Sequence, residues 1–263
     1  MLLSERTAVL SSLVYACDTL DDGTWDQIRQ HFKPEHSRNL AQRLDIHPSA
    51  CVRFVRNKDG LLSMIILDTE RRVCDIVFCG TADVQDIRMN IRAWKTVLPL
   101  PRHNGDVYVH SGFLRQLKTD STMDRIFEIL DTTTPDWHYV VCGHSLGGAL
   151  AVLFTVFLCH HMNGTTKLQV VTYGAPRVGN VEFAMMFDSL HIECTQIMHR
   201  QDPVPHMPKY GYIHAGHTVW VPETIQPEPE DIGYISIFTT RPSRSATFHS
   251  MENYRLLMTA SKL

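Results

Sequence analysis

The sequence predicts an α/β fold: a central, mostly parallel sheet flanked by helices. Two observations lead to this prediction. Short apolar runs of strand length alternate with longer runs of helical period along most of the 263 residues. A glycine-rich turn, GHSLGG, joins one strongly apolar strand to one strongly apolar helix. The length suits one large domain, so we expect residues 1–263 to form a single domain.

The elements follow in order from these patterns. Strands are expected where Val, Ile and Leu cluster between turn residues, and helices where apolar residues recur every three or four positions. The first helix is expected to be capped by Ser4 and to bury Val9, Leu10, Leu13 and Val14. Predicted helices cover residues 4–17, 25–32, 122–130, 149–160, 181–190 and 250–261, and predicted strands cover 51–55, 61–67, 73–79, 138–142, 168–173, 194–199 and 212–221. The proline-rich acidic stretch 222–231, PETIQPEPED, predicts a surface loop.

Composition excludes several classes of protein. A formal net charge of -3 gives no reason to expect nucleic acid as a partner. The longest apolar run, residues 149–159, is too short to span a membrane. Seven scattered cysteines without a CxxC pair favour a reducing, intracellular setting. Secretion is the alternative, because AVLSSLVYAC resembles a weak secretory core, although Glu5 and Tyr15 do not suit a signal peptide.

The glycine turn around Ser145 points to chemistry. A strand ending at Cys142 and a helix starting near Ala149 can be joined so tightly only through a sharp turn. Gly143 and Gly147 lack the Cβ atoms that would collide there, and the serine is left at the apex at the carboxyl end of the sheet. This arrangement is a nucleophile elbow, and the helix that follows points its free N–H groups at a developing oxyanion.

A serine nucleophile needs a base and an acid that orients the base, and in this type of site both follow the serine along the chain. Asp202 follows the strand over 194–199, in a loop that two prolines make rigid. Asp188, in a predicted helix, and Asp231, in the acidic loop, suit the role less well.

Fifteen histidines compete for the role of base. His249 is preferred because it opens the last helix, from which its ring can reach back over the sheet edge. His214 and His217 fall in a predicted strand, whereas His144 and His206 are expected to serve packing and loop structure.

Six stretches of the chain resemble the fungal-type, or class 3, lipase family of α/β-hydrolases. They are IVFCGT (76–81), VHSGF (109–113), GHSLGGALA (143–151), VTYGAPRVGN (171–180), QDPVPHMP (201–208) and YIHAGHTVW (212–220). The resemblance implies the α/β-hydrolase fold, Ser145 as nucleophile, Asp202 as orienting acid and His249 as general base. It also implies an oxyanion hole formed by the backbone N–H groups of Thr81 and Leu146.

The chain departs from the family pattern at two positions beside the site. Cys79 stands where the family usually has an arginine, and Phe248 stands where it has an aspartate before the catalytic histidine. Neither change removes an atom that the mechanism needs.

The resemblance also implies a lid over the site at about residues 82–101. Ile87, Ile91, Trp94 and Leu98 fall on one stripe of a predicted helix that Pro99 ends, and we expect them to line the lid and bind substrate. Arg88, Arg92 and Lys95 flank this stripe, as in a helix that lies on an anionic membrane surface. An ordinary half-buried surface helix would show the same pattern.

The sequence therefore predicts a serine hydrolase that cleaves carboxylic esters of lipids, with an acyl-enzyme intermediate. A lipid ester is the expected substrate, with peripheral contact to a membrane or lipid droplet. No metal or organic cofactor is expected, since no His/Cys/Asp cluster has ligand spacing. Within the enzyme class the alternatives are a phospholipase or galactolipase and a small-ester esterase. Outside it they are an acyltransferase and a catalytically silent lipid- or protein-binding domain.

Overall fold

The computed structural model describes residues 1–58, 60–80, 94–100, 106–134, 136–164, 167–221 and 248–261. The helices are α1 (Leu3–Leu13), α2 (Trp25–His31), α3 (Glu35–Gln42), α4 (Ser111–Lys118), α5 (Thr122–Leu130), α6 (Leu146–His161), α7 (Val181–Ser189) and α8 (Met251–Ser261). The strands are β1 (Gly23–Thr24), β2 (Cys51–Asn57), β3 (Gly60–Asp68), β4 (Val73–Phe78), β5 (Lys95–Val97), β6 (Tyr108–His110), β7 (His138–His144), β8 (Lys167–Tyr173), β9 (Glu193–His199) and β10 (His217–Val221).

Eight strands form the central sheet in the order β1-β2-β3-β4-β7-β8-β9-β10. The first four strands pair in antiparallel fashion, whereas β4, β7, β8, β9 and β10 run parallel to one another. Strands β5 and β6 form a separate antiparallel pair. The mostly parallel sheet confirms the predicted α/β architecture. Its parallel half brings the carboxyl ends of β4, β7, β8 and β9 to one edge, where ligands bind in such sheets.

Helices cover both faces of the sheet. On one face α4, α5, α6 and α7 bury a large apolar cluster against the central strands. On the other face α1, α2 and α3 pack over the antiparallel half, while α1 and α8 pack together over β8, β9 and β10. The α6 helix is buried along almost its whole length, as its continuous apolar sequence predicts. Within the described part of the chain, no helix has the length and apolar character needed to cross a membrane.

Two predicted boundaries differ most from the structure. The first helix ends at Leu13 and continues as a 3-10 turn, and Ser4 lies inside its first turn instead of capping it. The predicted strand over 212–221 starts only at His217. Gly211 and Gly216 have φ of +69° and +73°, which is outside the extended region that a strand requires. Strand β1, helices α3 and α4 and the strand pair β5-β6 were not predicted.

The predicted lid helix does not extend over residues 94–100. Residues Lys95–Val97 form strand β5, paired with β6, so the apolar stripe of a helix does not exist there. Leu98 is 2% exposed and packs in the main apolar core instead of on the stripe of a lid helix, and its role in substrate binding stays a prediction. Trp94 precedes the strand and is 72% exposed. Ile87, Ile91 and the other lid positions over 82–93 and at 101 lie outside the described residues.

Candidate active site

The turn between β7 and α6 holds Ser145 in an unusual backbone conformation. Its φ of 58° and ψ of -126° lie in a region that residues with a side chain rarely adopt. The surrounding elements enforce this conformation. A Cβ atom on Gly143 would lie 2.5 Å from the backbone of Gly147, and one on Gly147 would lie 2.3 Å from the carbonyl oxygen of Phe78. Only glycines allow β4, β7 and α6 to approach so closely, which is the elbow geometry that the sequence predicts.

The structure brings Ser145, His249 and Asp202 into one hydrogen-bonded chain. His249 Nε2 lies 2.7 Å from Ser145 Oγ, and His249 Nδ1 lies 2.8 Å from Asp202 Oδ2. All three side chains are buried. A carboxylate only accepts, so Nδ1 carries the ring proton and Nε2 presents its lone pair to the serine hydroxyl. The serine hydroxyl therefore faces a ring nitrogen that can accept its proton.

Asp202 is held by three donors besides its own backbone. The strand β9 ends at His199, whose carbonyl accepts the Asp202 N–H at 3.0 Å. Oδ1 accepts the N–H of Val204 at 2.9 Å, and Oδ2 accepts the hydroxyl of Tyr254 at 2.8 Å as well as the ring of His249. Every buried oxygen of this carboxylate is thus paired, as burial of a charge requires.

Tyr254 is a site residue that sequence reasoning missed. It lies on α8, fully buried, and its hydroxyl also accepts the backbone N–H of His199 at 2.9 Å. Burial and the nearby Asp202 carboxylate raise the pKa of Tyr254 well above its ordinary value, so the hydroxyl keeps the proton that it donates. The only sequence signal was an aromatic residue five positions after His249 in the last helix.

Phe248 occupies the position where the family pattern has an aspartate. Its ring stacks on the ring of His199, with centroids 4.9 Å apart and planes 12° apart. His199 is buried at the end of β9, three residues before Asp202. An aromatic contact therefore fixes the residue before His249 against the strand that leads to the acid.

The two predicted oxyanion donors differ in how far they can be located. Leu146 is the first residue of α6, so its backbone N–H has no acceptor within the helix. This N–H adjoins Ser145, as an oxyanion donor must. Thr81 lies outside the described residues, which end on that side at Gly80 after β4.

The competing candidates are engaged elsewhere. The Asp188 carboxylate accepts the N–H of Gly216 at 2.9 Å on the surface, and Asp231 lies outside the described residues. His214 contacts the Gln196 side chain and the Pro205 carbonyl oxygen. His217 is exposed in β10, and His206 stacks on Trp220 with centroids 5.2 Å apart. The His144 ring packs against His249, with centroids 4.8 Å apart.

One concave region lies far from these residues. It has a volume of about 510 Å³ and is lined by the amino ends of β7, β8 and β9 together with the end of α6. Ser145 and Asp202 follow the carboxyl ends of β7 and β9. The two regions therefore lie at opposite ends of these parallel strands.

Comparison with known proteins agrees with the fold and the motif pattern. A family model described as lipase (class 3) matches residues 76–211, just over half of the chain. A lipase of Rhizopus niveus is 30% identical over 168 residues, covering 60% of this chain and 41% of the relative. The phospholipase A1-II 1 of Oryza sativa subsp. indica is 34% identical over 116 residues, covering 43% of this chain and 27% of the relative. The chain thus spans less than half the length of these curated relatives.

Solved structures extend the likeness over most of the chain. A Rhizomucor miehei triacylglyceride lipase superposes with a TM-score of 0.64 at 24% identity, covering 83% of this chain and 78% of that structure. Such a likeness shows that the two chains share the α/β-hydrolase fold. The family model covers the strand before the oxyanion position, the elbow and the acid loop. The chain belongs to the class 3 lipase family.

Proposed function

We propose that this protein is a serine hydrolase that cleaves carboxylic esters of lipids, with acylglycerols as the substrate class. The observation that carries the proposal is the buried hydrogen-bonded chain from Ser145 through His249 to Asp202. Membership of the class 3 lipase family supports the choice of a lipid ester as substrate.

Acylation uses each group of this chain in turn. His249 Nε2 accepts the proton of the Ser145 hydroxyl while Oγ attacks the acyl carbonyl carbon. Asp202 stabilises the imidazolium that forms. The tetrahedral intermediate then collapses as His249 donates its proton to the departing alcohol, which leaves the acyl group on Ser145.

Deacylation repeats these steps with water. His249 removes a proton from water, which attacks the acyl carbon and releases the fatty acid, and the proton returns to Ser145. The N–H of Leu146 and the predicted donor at Thr81 stabilise the oxyanion in both halves. Loss of one such donor typically costs about 3 kcal/mol of transition-state stabilisation.

Because the triad is buried, substrate needs a path to Ser145. The side chain of Ser145 has no exposed surface, so an ester reaches Oγ only if part of the surrounding protein moves. Exposed apolar residues support peripheral contact with a lipid surface, since Trp94 is 72% exposed and Val97, in β5, is 45% exposed. Lys95 lies between them in the sequence and adds a positive charge that suits anionic lipid.

A second candidate substrate is a phospholipid. The rice relative named phospholipase A1-II 1 aligns over 116 residues at 34% identity, which favours this alternative over a galactolipid or a small soluble ester. The chemistry at Ser145 would be the same, because the cleaved bond is again a carboxylic ester. Only the group that leaves after the first step differs.

The test is hydrolysis of a panel of esters by the wild-type chain and by Ser145→Ala. The panel contains a short soluble ester, an emulsified triacylglycerol, a diacylglycerol and a phosphatidylcholine vesicle. We expect release of fatty acid by the wild-type chain, most rapidly from acylglycerol, and none by Ser145→Ala. A wild-type chain that is inert on every member would overturn the proposal and favour a binding domain. Transfer of the acyl group to an added alcohol in preference to water would indicate an acyltransferase.

A further inference from the structure

The histidine that precedes Ser145 makes one buried and one partly buried hydrogen bond that the proposed reaction does not use. His144 Nε2 lies 2.7 Å from the backbone carbonyl oxygen of His249, and His144 Nδ1 lies 2.9 Å from the hydroxyl of Tyr15. Residues 144 and 249 are 105 positions apart in the chain. A side chain of the elbow is therefore bonded to the backbone of the base.

The direction of both bonds follows from the chemistry of the partners. A carbonyl oxygen only accepts, so His144 Nε2 carries the hydrogen and Nδ1 presents a lone pair to Tyr15. Burial and the nearby ring of His249 lower the pKa of His144 well below its ordinary value, so the ring is neutral. Burial raises the pKa of Tyr15 well above its ordinary value, so its hydroxyl keeps the proton that it donates.

Tyr15 also brings His144 close to the segment that follows β4 and precedes the predicted oxyanion residue. It lies in the 3-10 turn after α1. A Cβ atom on Gly80 would lie 2.3 Å from the Tyr15 hydroxyl oxygen and 2.6 Å from the carbonyl oxygen of His144. Gly80 follows β4 and immediately precedes Thr81. His144 and Tyr15 thus contact the segments that lead to Ser145, to His249 and to the predicted oxyanion donor Thr81.

We propose that His144, supported by Tyr15, is a positioning residue that ties the backbone of His249 to the elbow and so fixes the distance between His249 Nε2 and Ser145 Oγ. The inference rests on the proposed hydrolase function. Two parallel links then join the base to the elbow: the Nε2–Oγ contact itself and the bond from His144 to the His249 carbonyl. Displacement of a catalytic group by about 1 Å can reduce the rate about 100-fold, so such a tie bears directly on kcat.

Three variants distinguish the effect of the hydrogen bond from His144 to the His249 carbonyl from the effect of the space that the His144 ring fills. His144→Gln offers an amide N–H near the former position of Nε2, whereas His144→Leu fills similar space without a donor. Tyr15→Phe removes only the hydroxyl that orients the His144 ring. The matched control is His214→Leu, because His214 Nε2 also lies 2.7 Å from a backbone carbonyl oxygen, that of Pro205, without contact to the triad.

The experiment measures kcat and KM on a soluble ester, with the concentration of competent sites titrated by an alkyl phosphonate. We expect His144→Leu to lower kcat per titrated site by about 10- to 100-fold with KM unchanged. His144→Gln should recover most of this loss, and Tyr15→Phe should fall between the wild-type chain and His144→Leu. His214→Leu should lower thermal stability but leave kcat per site unchanged.

The inference is overturned if kcat per site of His144→Leu equals that of the wild-type chain, or if His144→Gln is no better than His144→Leu. If His144→Leu does not fold, an unchanged kcat together with an unchanged pH-rate profile in Tyr15→Phe overturns it equally. A wild-type chain that neither hydrolyses ester nor reacts with phosphonate would instead refute the proposed function. The low-field proton NMR signal of the His249–Asp202 hydrogen bond would still test the tie, with loss in His144→Leu and retention in His144→Gln supporting it.

Discussion

The three residues of the candidate triad are held in the site by different means. Ser145 is fixed by backbone geometry, because β7 and α6 meet in a turn that glycines permit. Asp202 and His249 lie beyond the ends of regular elements and are fixed by side chains, chiefly Tyr254 and His144. The backbone half of the site, around Ser145, is therefore encoded locally in a few consecutive residues. The side-chain half, around Asp202 and His249, depends on contacts between distant parts of the chain.

The side-chain half is tested most strongly at the acid. Asp202→Asn should lower kcat by about 10⁴-fold, because an amide does not hold His249 in the tautomer whose Nε2 accepts the serine proton. Initial rates on a soluble ester measure the effect. The matched control is Asp188→Asn, since the Asp188 carboxylate accepts the backbone N–H of Gly216 at the surface, and its activity should stay at the wild-type level. An Asp202→Asn variant as active as this control would remove Asp202 from the triad.

The backbone half is tested at the glycine turn. Gly147→Ala places a methyl group 2.3 Å from the Phe78 carbonyl oxygen, which β4 holds in place, and should lower the free energy of unfolding by about 3 kcal/mol or more. Gly164→Ala is the control, because no atom lies within 4 Å of the new Cβ and only its φ of +71° disfavours alanine, at about 1 kcal/mol. Urea unfolding followed by tryptophan fluorescence measures both. Equal losses would mean that close packing does not shape the elbow.

A smaller effect is expected at the hydroxyl that supports the acid. Tyr254→Phe removes a donor to Asp202 and an acceptor for the His199 N–H, so kcat should fall about tenfold, the equivalent of one hydrogen bond of about 1.4 kcal/mol. Tyr212→Phe is the control. Its buried hydroxyl has no hydrogen-bond partner in the described part of the chain, so its removal should leave both kcat and stability unchanged or slightly improve stability. If Tyr254→Phe behaves like this control, its bond to the acid has no role in catalysis.

The smallest effect on catalysis, and a clear effect on stability in acid, is expected at His214. Burial lowers the pKa of His214 to about 4, so between the ordinary value of about 6.5 and 4 the folded state binds fewer protons than the unfolded state. The stability that this group contributes is complete above pH of about 6.5 and is lost as pH falls, by up to about 1.4 kcal/mol per pH unit. His214→Gln should flatten this slope in urea unfolding between those pH values and leave kcat at neutral pH unchanged. A slope equal to that of the wild-type chain would show that His214 is not protonated on unfolding.

Much of the fold and the backbone half of the site could be predicted because their signals are local. The apolar strand before Ser145, the apolar helix after it and the glycines between them stand next to one another in the sequence. The antiparallel pairing of β1 to β4 and the short pair β5-β6 depend on partners that no local pattern specifies. For this reason Trp94 and Leu98, four positions apart, predicted the stripe of a lid helix, whereas residues 95–97 between them form a strand that pairs with β6.

The side-chain half of the site could be predicted only in part. Asp202 follows β9 and His249 precedes α8, in the chain order expected for the acid and the base, so both residues could be chosen from the sequence. Tyr254 and Tyr15 contribute hydroxyl groups that reach the site from α8 and from the turn after α1, where their aromatic character predicts only burial. A hydrogen bond between residues more than 100 positions apart, such as that from His144 to His249, leaves no pattern in a single sequence.

The role of Ser145 as a nucleophile activated by His249 and Asp202 is tested by labelling with a long-chain alkyl phosphonate. Intact-protein and peptide mass spectrometry measure the stoichiometry and the position of the label. We expect one adduct per wild-type chain, located on Ser145, slow labelling in Asp202→Asn and none in Ser145→Ala. A wild-type chain that stays unlabelled, or an adduct on another residue that persists in Ser145→Ala, would contradict it.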